Sequence, residues 1–527
     1  VVIVGTAETV ELASAQAMAS GAVRGRLAGA VLVEGVGGVS GVSGRRAWAG
    51  GLPLLGTERD LGDLVSAGGI GVALLCVPHA MSGVRDRVER VLRLLGLRVC
   101  RLPTVEDVLV SGGGAGSIAV DLQELVGRAA REVDESLVDR VVRGKRVLIT
   151  GAGGSIGSEL ARLCAGHGPG ELILMDRSEN ALFEVDRWLR EHRPFVSKRA
   201  VLQDVVQGVS ASRRIGELRP QTVFHAAAHK HVPLMQDHPA EALENNLFGT
   251  KAVADACVEA GVERLVLVST DKAVRPRSVM GATKRLAERY VLSLGGVNGM
   301  KCGAVRFGNV LGSASSVLPI WSSQMAEGGP LTVTDARMTR YFMTIPEAAA
   351  LVVQSAAVLG EGGGEGGEVF VLDMGEPVGI VALAKRFARV NGLTALLPGE
   401  VPNGAWGGGA CVRISFTGAR PGEKMHEELA HDASELRATT VPGVRRWLAE
   451  PVSRAEGSAM AARLERWRGS ADDAGVVGAI SAEVPDFTRT GGGCDRSAGG
   501  ARGRAAGFPG LAARVGCGPR GGGWGVR

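Results

Sequence analysis

The stretch RVLITGAGGSIGSEL, residues 146–160, decides the fold of this chain. An apolar run ends at Thr150, a glycine-rich turn follows it, and a helical pattern begins within the turn. Gly151, Gly154 and Gly157 give the spacing G-x-x-G-x-x-G. Glycine lets such a turn bend tightly and lets backbone N–H groups approach a pyrophosphate at the positive end of the helix. The stretch therefore predicts the strand–turn–helix unit of a dinucleotide-binding, Rossmann-like fold.

Carboxylates end the next two predicted strands after this turn. Asp176 closes the run Glu171–Asp176, where a carboxylate accepts hydrogen bonds from the hydroxyls of an adenosine ribose. It would also repel a 2′-phosphate, so the pattern favours NAD over NADP, although the neighbouring Arg177 weakens that preference. Asp204 ends the third strand and is placed to meet the adenine. The predicted NAD site is completed by Ser155 and Ile156 in the turn and Ala226 after the fourth strand.

Strands and helical patterns alternate around this unit. Apolar runs separated by helical patterns predict a doubly wound parallel sheet, and they cover Gly144–Thr150, Glu171–Asp176, Arg199–Gln203, Thr222–His225, Arg264–Val268 and Gly303–Arg306. The first part of the chain opens with VVIVG and contains two further strand candidates, Ala30–Val33 and Val72–Cys76. Of a glycine fingerprint only Gly5 is present there, so we predict a degenerate, structural Rossmann-like unit, the alternative being a working nucleotide site.

The predicted fold class is α/β, with two Rossmann-like domains on doubly wound parallel sheets and a smaller substrate-binding subdomain in the second. A segment of linker composition, SGGGAGS at residues 111–117, separates the two domains. The predicted organisation is a degenerate Rossmann-like domain at 1–110, a linker and connecting helix at 111–142, an NAD-binding domain with C-terminal substrate-binding elements at 143–450, a helical segment at 451–486 and a disordered Gly/Arg-rich tail at 487–527.

Charge and cysteine usage exclude several classes of protein. The net charge is +5 at pH 7, and residues 491–527 carry six Arg and one Asp, so the rest of the chain is neutral. A neutral body argues against nucleic-acid binding, which needs a basic face. The eight cysteines are scattered without a C-x-x-C pair, which predicts no metal site, no disulfide framework and a cytoplasmic location. The chain has no run of about 18 apolar residues, so we predict no membrane span in it.

A second stretch, VSTDKAVRPRSVMGATKR at residues 268–285, carries the candidate chemistry. Its segment Thr270–Lys272 follows the fifth strand of the second domain, at the sheet edge where ligands bind in doubly wound folds. Many nucleotide-dependent dehydrogenases carry Tyr-x-x-x-Lys on the next helix. Here the tyrosine position is Met280 and the lysine is Lys284. A thioether exchanges no proton, so we expect Met280 to pack beneath the nicotinamide.

At this point the sequence resembles the extended short-chain dehydrogenase/reductase superfamily, and within it the UDP-N-acetylglucosamine 4,6-dehydratases of bacterial polysaccharide biosynthesis. The matching blocks run in family order from about Arg143 to Glu428 and read TGAGGSIGSEL, FHAAAHKHVPLMQDHP, NNLFGT, STDKAV, VMGATKR, VRFGNVLGS, GGPLTVTDARMTRYFMTIPEA, FVLDMGEPV and FTGARPGEK. The N-terminal unit also resembles the one that precedes this domain in the long, membrane-anchored members, in which methionine commonly replaces the tyrosine. Because the chain begins at Val1 inside a strand-like run, we expect an upstream part to be missing. If that part holds a membrane anchor, we expect the protein to lie at the cytoplasmic face of the inner membrane.

The resemblance implies an NAD-dependent conversion of UDP-N-acetylglucosamine to a UDP-4-keto-6-deoxy sugar. It implies Asp271 as the acid and Lys272 as the base of an elimination, with the pKa of Lys272 lowered by burial or by the cationic nicotinamide. Thr270 would hydrogen-bond the C4 hydroxyl, whose proton leaves through Thr270, Asp271 or a water. Lys284 would hold the nicotinamide ribose. The expected substrate contacts are Lys230 after the fourth strand and, by resemblance, Asn309, Arg340 and Arg420.

Two other functions stay open on the sequence. A UDP-sugar 4-epimerase shares the C4 oxidation, but it needs no elimination pair and would normally keep the tyrosine. A non-catalytic, nucleotide-binding regulatory protein would keep the dinucleotide site without turnover. The complete TDK segment, Thr270–Lys272, argues against that class. We also expect the protein to be a homo-oligomer.

Overall fold

The computed structural model of the protein describes residues 1–7, 9–11, 13–14, 27–33, 48–49, 51–66, 68–77, 82–101, 125, 131, 133–314, 316–361, 367–391, 393–401 and 411–488. The prediction of a disordered tail concerns residues that, apart from Phe487 and Thr488, lie outside this range. Most of the predicted linker also lies outside it. Both of these expectations therefore stay predictions.

The N-terminal part of the chain forms a small, mainly parallel sheet. Its strands are β1 Val2–Gly5, β2 Gly29–Leu32, β3 Trp48–Ala49, β4 Leu52–Thr57, β5 Val72–Cys76 and β6 Arg98–Arg101. They lie in the order β3-β4-β2-β1-β5-β6, and only the β3–β4 pair is antiparallel among these described strands. Helices α1 Leu61–Ser66 and α2 Ser82–Leu94 accompany the sheet. The predicted N-terminal parallel α/β unit is confirmed.

A larger sheet follows, and it carries the glycine-rich turn. Its strands are β7 Arg146–Thr150, β8 Glu171–Asp176, β9 Lys198–Leu202, β10 Thr222–His225, β11 Arg264–Val268, β12 Lys301–Arg306, β17 Glu368–Leu372, β21 Leu436–Ala438 and β22 Val444–Trp447. They lie in the order β21-β22-β17-β12-β11-β10-β7-β8-β9. The seven strands from β17 to β9 are parallel, whereas β22 and β21 add antiparallel pairs at one edge. The predicted Rossmann-like parallel sheet is confirmed.

The chain reverses its direction of winding between β7 and β10. Strands β8 and β9 extend the sheet on one side of β7, and β11, β12 and β17 extend it on the other side of β10. The crevice outside the carboxyl ends of the strands at such a switch point is where open α/β sheets bind ligands. The glycine-rich turn, which follows β7, and the segment Thr270–Lys272, which follows β11, both lie at this edge.

Apolar clusters on the two faces of the sheet hold the helices. Along β7, Leu148 belongs to one cluster, whereas Val147 and Ile149 belong to the other, because successive side chains of a strand point to opposite faces. The helices are α3 Glu135–Val142, α4 Ser155–Gly166, α5 Glu179–His192, α6 Gly208–Leu218, α7 Val232–Asp237, α8 Pro239–Leu243, α9 Gly249–Glu259, α10 Val279–Leu292, α11 Val317–Ala326, α12 Ile345–Ala357, α13 Ile380–Val390, α14 Arg454–Glu465 and α15 Asp473–Glu483. Helices α3, α4 and α12 pack on one face, and α9 and α10 pack on the other.

Smaller sheets cover part of the ligand-binding edge. Strands β13 Asn309–Leu311, β14 Leu331–Val333, β15 Thr339–Arg340, β16 Phe342–Thr344, β18 Val378–Gly379, β19 Thr394–Leu396 and β20 Cys411–Phe416 form them. Strand β20 lies between β14 and β19, and β13 pairs with β16. A third apolar cluster around the buried Trp321 and Phe387 packs α11 and α13 against this region.

In the described part of the chain, no helix combines the length and the apolar character needed to cross a bilayer. The same residues contain no group of three or more His, Cys, Asp or Glu side chains arranged to hold a metal ion.

Candidate active site

Two glycines of the turn after β7 occupy places where a side chain would not fit. Gly151 has a φ of +67°, and a Cβ there would lie 2.6 Å from the backbone nitrogen of Ala227. A Cβ on Gly157 would overlap the carbonyl oxygen of Gly151 and lie 2.9 Å from the Cα of Ala152. The glycines therefore let helix α4 begin directly against the turn and the end of β10. Such an exposed helix N-terminus next to close-packed backbone suits a pyrophosphate.

The acid at the end of β8 is held by backbone N–H groups. The carboxylate of Asp176 accepts hydrogen bonds from Gly153 N at 2.9 Å and from Ser178 N at 2.8 Å. Arg177 Nη1 lies 3.7 Å from Asp204 Oδ2. Asp176, Arg177 and Asp204 line a cavity of ≈ 150 Å³ together with Gly151, Gly154 and Ala226. The structure thus brings most of the predicted adenosine-side residues to one cavity, with a fixed carboxylate in its wall.

The segment after β11 forms a tight cluster around a buried carboxylate. A 3-10 turn spans Asp271–Ala273, and Thr270 caps it by accepting a hydrogen bond from Lys272 N. Thr270 Oγ1 donates to Asp271 Oδ1 at 2.9 Å, and Lys272 Nζ donates to the same oxygen, also at 2.9 Å. Asp271 is fully buried, and its Oδ2 has no hydrogen-bond partner among the described residues. A Cβ on Gly308 would lie 3.1 Å from that free oxygen.

Lys272 is held by groups from three separate parts of the chain. Besides Asp271, its ammonium donates to Asn309 Oδ1 at 3.0 Å and lies 3.9 Å from Glu427 Oε1. Burial lowers the pKa of Lys272, but the carboxylates of Asp271 and Glu427 more than offset this effect, so the net shift is upward. The expectation that burial lowers the pKa of Lys272 is therefore wrong, because Asp271 and then Glu427 outweigh the effect of burial. The effect expected from the nicotinamide stays a prediction.

Helix α10 contributes Met280 and Lys284 to the same edge. Its close approach requires Gly281, because a Cβ there would overlap the carbonyl oxygen of Lys272. Lys284 Nζ donates to Val268 O at 2.7 Å, and burial lowers the pKa of Lys284 to about 8. Met280 is 3% exposed. The helix thus presents one buried lysine, which loses its proton more readily than an exposed lysine, and one thioether without proton chemistry.

Two adjoining cavities, which share lining residues, collect most of the remaining predicted residues. The larger one has a volume of ≈ 550 Å³ and is lined by Gly154, Ser155, Ile156, Gly157, Ala226, Lys230, Thr270, Lys272, Met280, Lys284 and Asn309. The smaller one, of ≈ 260 Å³, shares Lys230, Lys272 and Asn309 with it and adds Arg340 and Glu427. Arg420 is exposed and lines none of these cavities. The cavities therefore bring together the predicted cofactor turn, Thr270 and Lys272 of the TDK segment, and three of the four predicted substrate residues. Asp271 is fully buried behind Lys272 and lines none of the three cavities.

One member of this cluster, Glu427, was not predicted from the sequence. Glu427 lies close to Lys272, and its Oε1 is also 3.9 Å from Arg340 Nε. It follows the RPGEK block by a few residues in the run MHEEL, where nothing in the spacing distinguishes it from Glu428. Tyr290 lies on the same helix as Met280, but it donates to Asp255 at 2.6 Å and does not line the large cavity. It is therefore not placed to replace the missing tyrosine.

The strand order, the glycine turn and the TDK segment define an extended short-chain dehydrogenase/reductase fold. Residues 147–447 match the family described as "Polysaccharide biosynthesis protein", and the chain belongs to this family. It is 42% identical over 384 residues to the probable polysaccharide biosynthesis protein EpsC of Bacillus subtilis, covering 72% of this chain and 60% of EpsC. The chain thus spans less than two thirds of that relative's length.

More distant relatives carry two different activities in their names. The chain is 32% identical over 299 residues to a UDP-N-acetylglucosamine 4,6-dehydratase (inverting) of Campylobacter jejuni, covering 56% of this chain and 80% of that protein. It is 30% identical over 302 residues to a UDP-glucose 4-epimerase of Rickettsia canadensis, covering 56% of this chain and 80% of that protein. Similarity of this degree does not separate a dehydratase from an epimerase.

Proposed function

We propose that the protein is an NAD-dependent UDP-sugar 4,6-dehydratase that acts on UDP-N-acetylglucosamine. The observation that carries this proposal is the Asp271–Lys272 pair, because an elimination needs one group to remove a proton and a second to supply one. Lys272 lines the same ≈ 550 Å³ cavity as the glycine turn and Lys284. Asp271 lies directly behind it, 2.9 Å from its ammonium.

The glycine turn and its flanking acids fit NAD. A side chain at Gly151 or Gly157 would collide with backbone, so the turn is built for close packing at the start of helix α4, where a pyrophosphate is stabilised. The carboxylate of Asp176 keeps lone pairs for ribose hydroxyls while it accepts two backbone hydrogen bonds. Bound NAD would accept a hydride from sugar C4 and return it to C6.

The chain's own residues would move the protons between these two hydride transfers. Thr270 would hydrogen-bond the C4 hydroxyl, whose proton would leave through Thr270, Asp271 or a water as the hydride departs. Lys284 would hold the nicotinamide ribose. Oxidation at C4 acidifies the C5 proton, which Lys272 would take while the C5–H bond breaks. Asp271 would give a proton to the C6 hydroxyl as the C6–O bond breaks, so that water leaves. When the hydride reaches C6, C5 would take a proton back from Lys272 or from water. Before the elimination, the Lys272 ammonium would pass its proton to Asp271, whose Oδ1 lies 2.9 Å from Nζ. This transfer leaves a neutral amine as the base and a protonated carboxyl as the acid, and we place it after substrate and cofactor have bound.

The smaller cavity suits the anionic part of a nucleotide sugar. Lys230 and Arg340 line it together with Lys272, and an arginine guanidinium can bind two phosphate oxygens at once. Asn309, which also holds Lys272, would bring the sugar next to the elimination pair. Because Arg420 is exposed outside the cavities, its proposed contact would require a more extended substrate or a movement of its loop.

A UDP-sugar 4-epimerase is the second candidate, and the similarity to an epimerase favours it. An epimerase oxidises C4 and returns the hydride to C4, so it breaks no C–H bond at C5. It would have no use for the buried Asp271–Lys272 pair. A nucleotide-binding regulatory protein would show no turnover of either kind.

Lys272→Ala tests the proposed base. We expect this variant to bind NAD as the parent does, but to lose turnover by at least the roughly 10²–10⁴-fold contributed by a general base. Exchange of the C5 hydrogen with deuterium from solvent should disappear with it. Lys251→Ala is a matched control, because that lysine pairs with Asp255 on helix α9 and lines none of the three site cavities. Normal C5 exchange by Lys272→Ala would remove Lys272 from this role.

A further inference from the structure

Glu427 lines the smaller of the two adjoining cavities, together with Lys272 and Arg340. Its side chain is almost completely buried, and its Oε1 is 3.9 Å from Lys272 Nζ and 3.9 Å from Arg340 Nε. The other oxygen, Oε2, has no hydrogen-bond partner among the described residues. A buried carboxylate is costly unless it is paired, so a group kept here with one unpartnered oxygen needs a compensating role.

The surroundings of Glu427 explain how it can act on Lys272. Asp271 faces Lys272 from the preceding position, whereas Glu427 and Arg340 face it from segments that are distant in the chain. Lys424 adds a further positive charge close to Glu427. Burial raises the pKa of Glu427, and the negative charge of Asp271 acts in the same direction. Two carboxylates therefore compete for one ammonium in a site that is largely shielded from water.

We propose that Glu427 is a positioning residue that sets the charge and the place of Lys272 and links it to Arg340 at the anion-binding end of the site. Held between Asp271, Asn309 and Glu427, the ammonium of Lys272 has few directions left in which to point. Glu427 shares one oxygen between this ammonium and the guanidinium of Arg340. The consequence for turnover rests on the proposed function, but the effect on Lys272 itself does not.

The charge of Lys272 is measurable without substrate or cofactor. Acetic anhydride acylates only the neutral amine, and the side chain of Lys272 is 20% exposed, so the reagent can reach it. Mass spectrometry of the peptide that contains Lys272 gives its labelling rate between about pH 8 and 9, where the rate scales with the neutral fraction. The labelling rate of Lys251 in the same sample corrects for reagent decay.

Glu427→Gln removes the charge and keeps the volume. We expect Lys272 to be labelled at least about tenfold faster in this variant, the factor that corresponds to a drop of about one pKa unit. Glu428→Gln is the matched control, because the neighbouring Glu428 is partly exposed and pairs with Arg275. It should leave the Lys272 rate unchanged. Under the proposed function, the rising limb of the pH–rate profile of Glu427→Gln should also move to lower pH.

The outcomes separate the inference from the proposed function. An unchanged Lys272 labelling rate in folded Glu427→Gln would overturn the inference, whether or not the protein dehydrates a sugar. If Glu427→Gln does not fold, Glu427→Asp decides: its carboxylate is drawn back by one methylene, so Lys272 should be labelled several-fold faster than in the parent, and an unchanged rate would overturn the inference. A faster rate in a protein that turns over no UDP-sugar would keep the inference and reject the function.

Discussion

Gly157→Ala is the sharpest test of the cofactor turn. The new Cβ would overlap the carbonyl oxygen of Gly151 and would lie 2.7 Å from its carbonyl carbon and 2.9 Å from Ala152 Cα. All three are backbone atoms, which cannot rotate away as a flexible side chain could. The start of helix α4 must therefore move away from the turn. That movement displaces the N–H groups on which we propose that the pyrophosphate of NAD rests.

The expected change in the free energy of unfolding of Gly157→Ala follows from two opposing effects. Overpacking in a closely packed region costs about 1–3 kcal/mol of the free energy of unfolding. Replacing glycine by alanine inside a helix returns roughly 0.5–1 kcal/mol. Gly166→Ala isolates the second effect, because Gly166 ends the same helix and a Cβ there meets no atom within 4 Å. The difference between the two variants should therefore be the overpacking cost of about 1–3 kcal/mol.

Calorimetric titration with NAD and thermal unfolding of both variants provide the assay. We expect Gly157→Ala to bind NAD at least tenfold more weakly, which corresponds to about 1.4 kcal/mol. It should also unfold at a lower temperature than the parent. Gly166→Ala should bind NAD normally and unfold at the same or a higher temperature. Parent-like NAD affinity and stability in Gly157→Ala would refute the proposed place of the pyrophosphate.

Other substitutions test the remaining parts of the site. Asp176→Ala should weaken NAD binding by about 1–3 kcal/mol and relax discrimination against NADP, and equal affinity of the parent for both cofactors would contradict the proposed role of the acid. Met280→Leu should lower the free energy of unfolding by under about 1.5 kcal/mol and keep activity within several-fold of the parent's. Asp271→Asn should lose most of the dehydration activity but still bind NAD. An inactive Met280→Leu beside an active Asp271→Asn would contradict the role proposed for the TDK segment. The pKa of Lys284 is lowered from 10.5 to about 8 in the folded protein. Between these two pH values the unfolded chain therefore binds more protons than the folded protein, so the free energy of unfolding of the parent should increase as the pH rises through this range. Lys284→Met should remove this gain, and an identical pH dependence of unfolding in both proteins would contradict it.

The central strands of the large sheet, β12 to β8 in sheet order, were all predicted, although β7 starts two residues later and β12 two residues earlier than the predicted runs. The bounds of β8, β10 and β11 match the predicted runs, because a buried parallel strand is a nearly continuous apolar sequence. The edge strand β9 was misplaced by one residue, and most of its side chains are not buried, so its pattern is weaker. The two- and three-residue strands beyond β12, such as β15 and β18, were not predicted, because they exist only through pairing with distant segments.

The site shows the same difference between features set by local sequence and features set by contacts between distant segments. The glycine turn and Asp176 were predictable because their arrangement follows from one strand–turn–helix–strand unit in the sequence. The relation of Glu427 to Lys272 was not, because it arises from a contact between segments that are far apart in the chain. The upward shift of the Lys272 pKa was missed because burial alone would lower it, whereas the neighbouring Asp271 and the distant Glu427 together raise it.

The product formed from UDP-N-acetylglucosamine is the most direct measurement of the central claim. The purified protein is incubated with this sugar nucleotide and NAD in deuterated water, and the product is followed by NMR. We expect a 4-keto-6-deoxy sugar nucleotide with a new C6 methyl signal, deuterium at C5 and no net reduction of NAD. A product that keeps its C6 hydroxymethyl group and its C5 hydrogen, with only the C4 configuration inverted, would identify an epimerase and contradict the proposed elimination at Asp271 and Lys272.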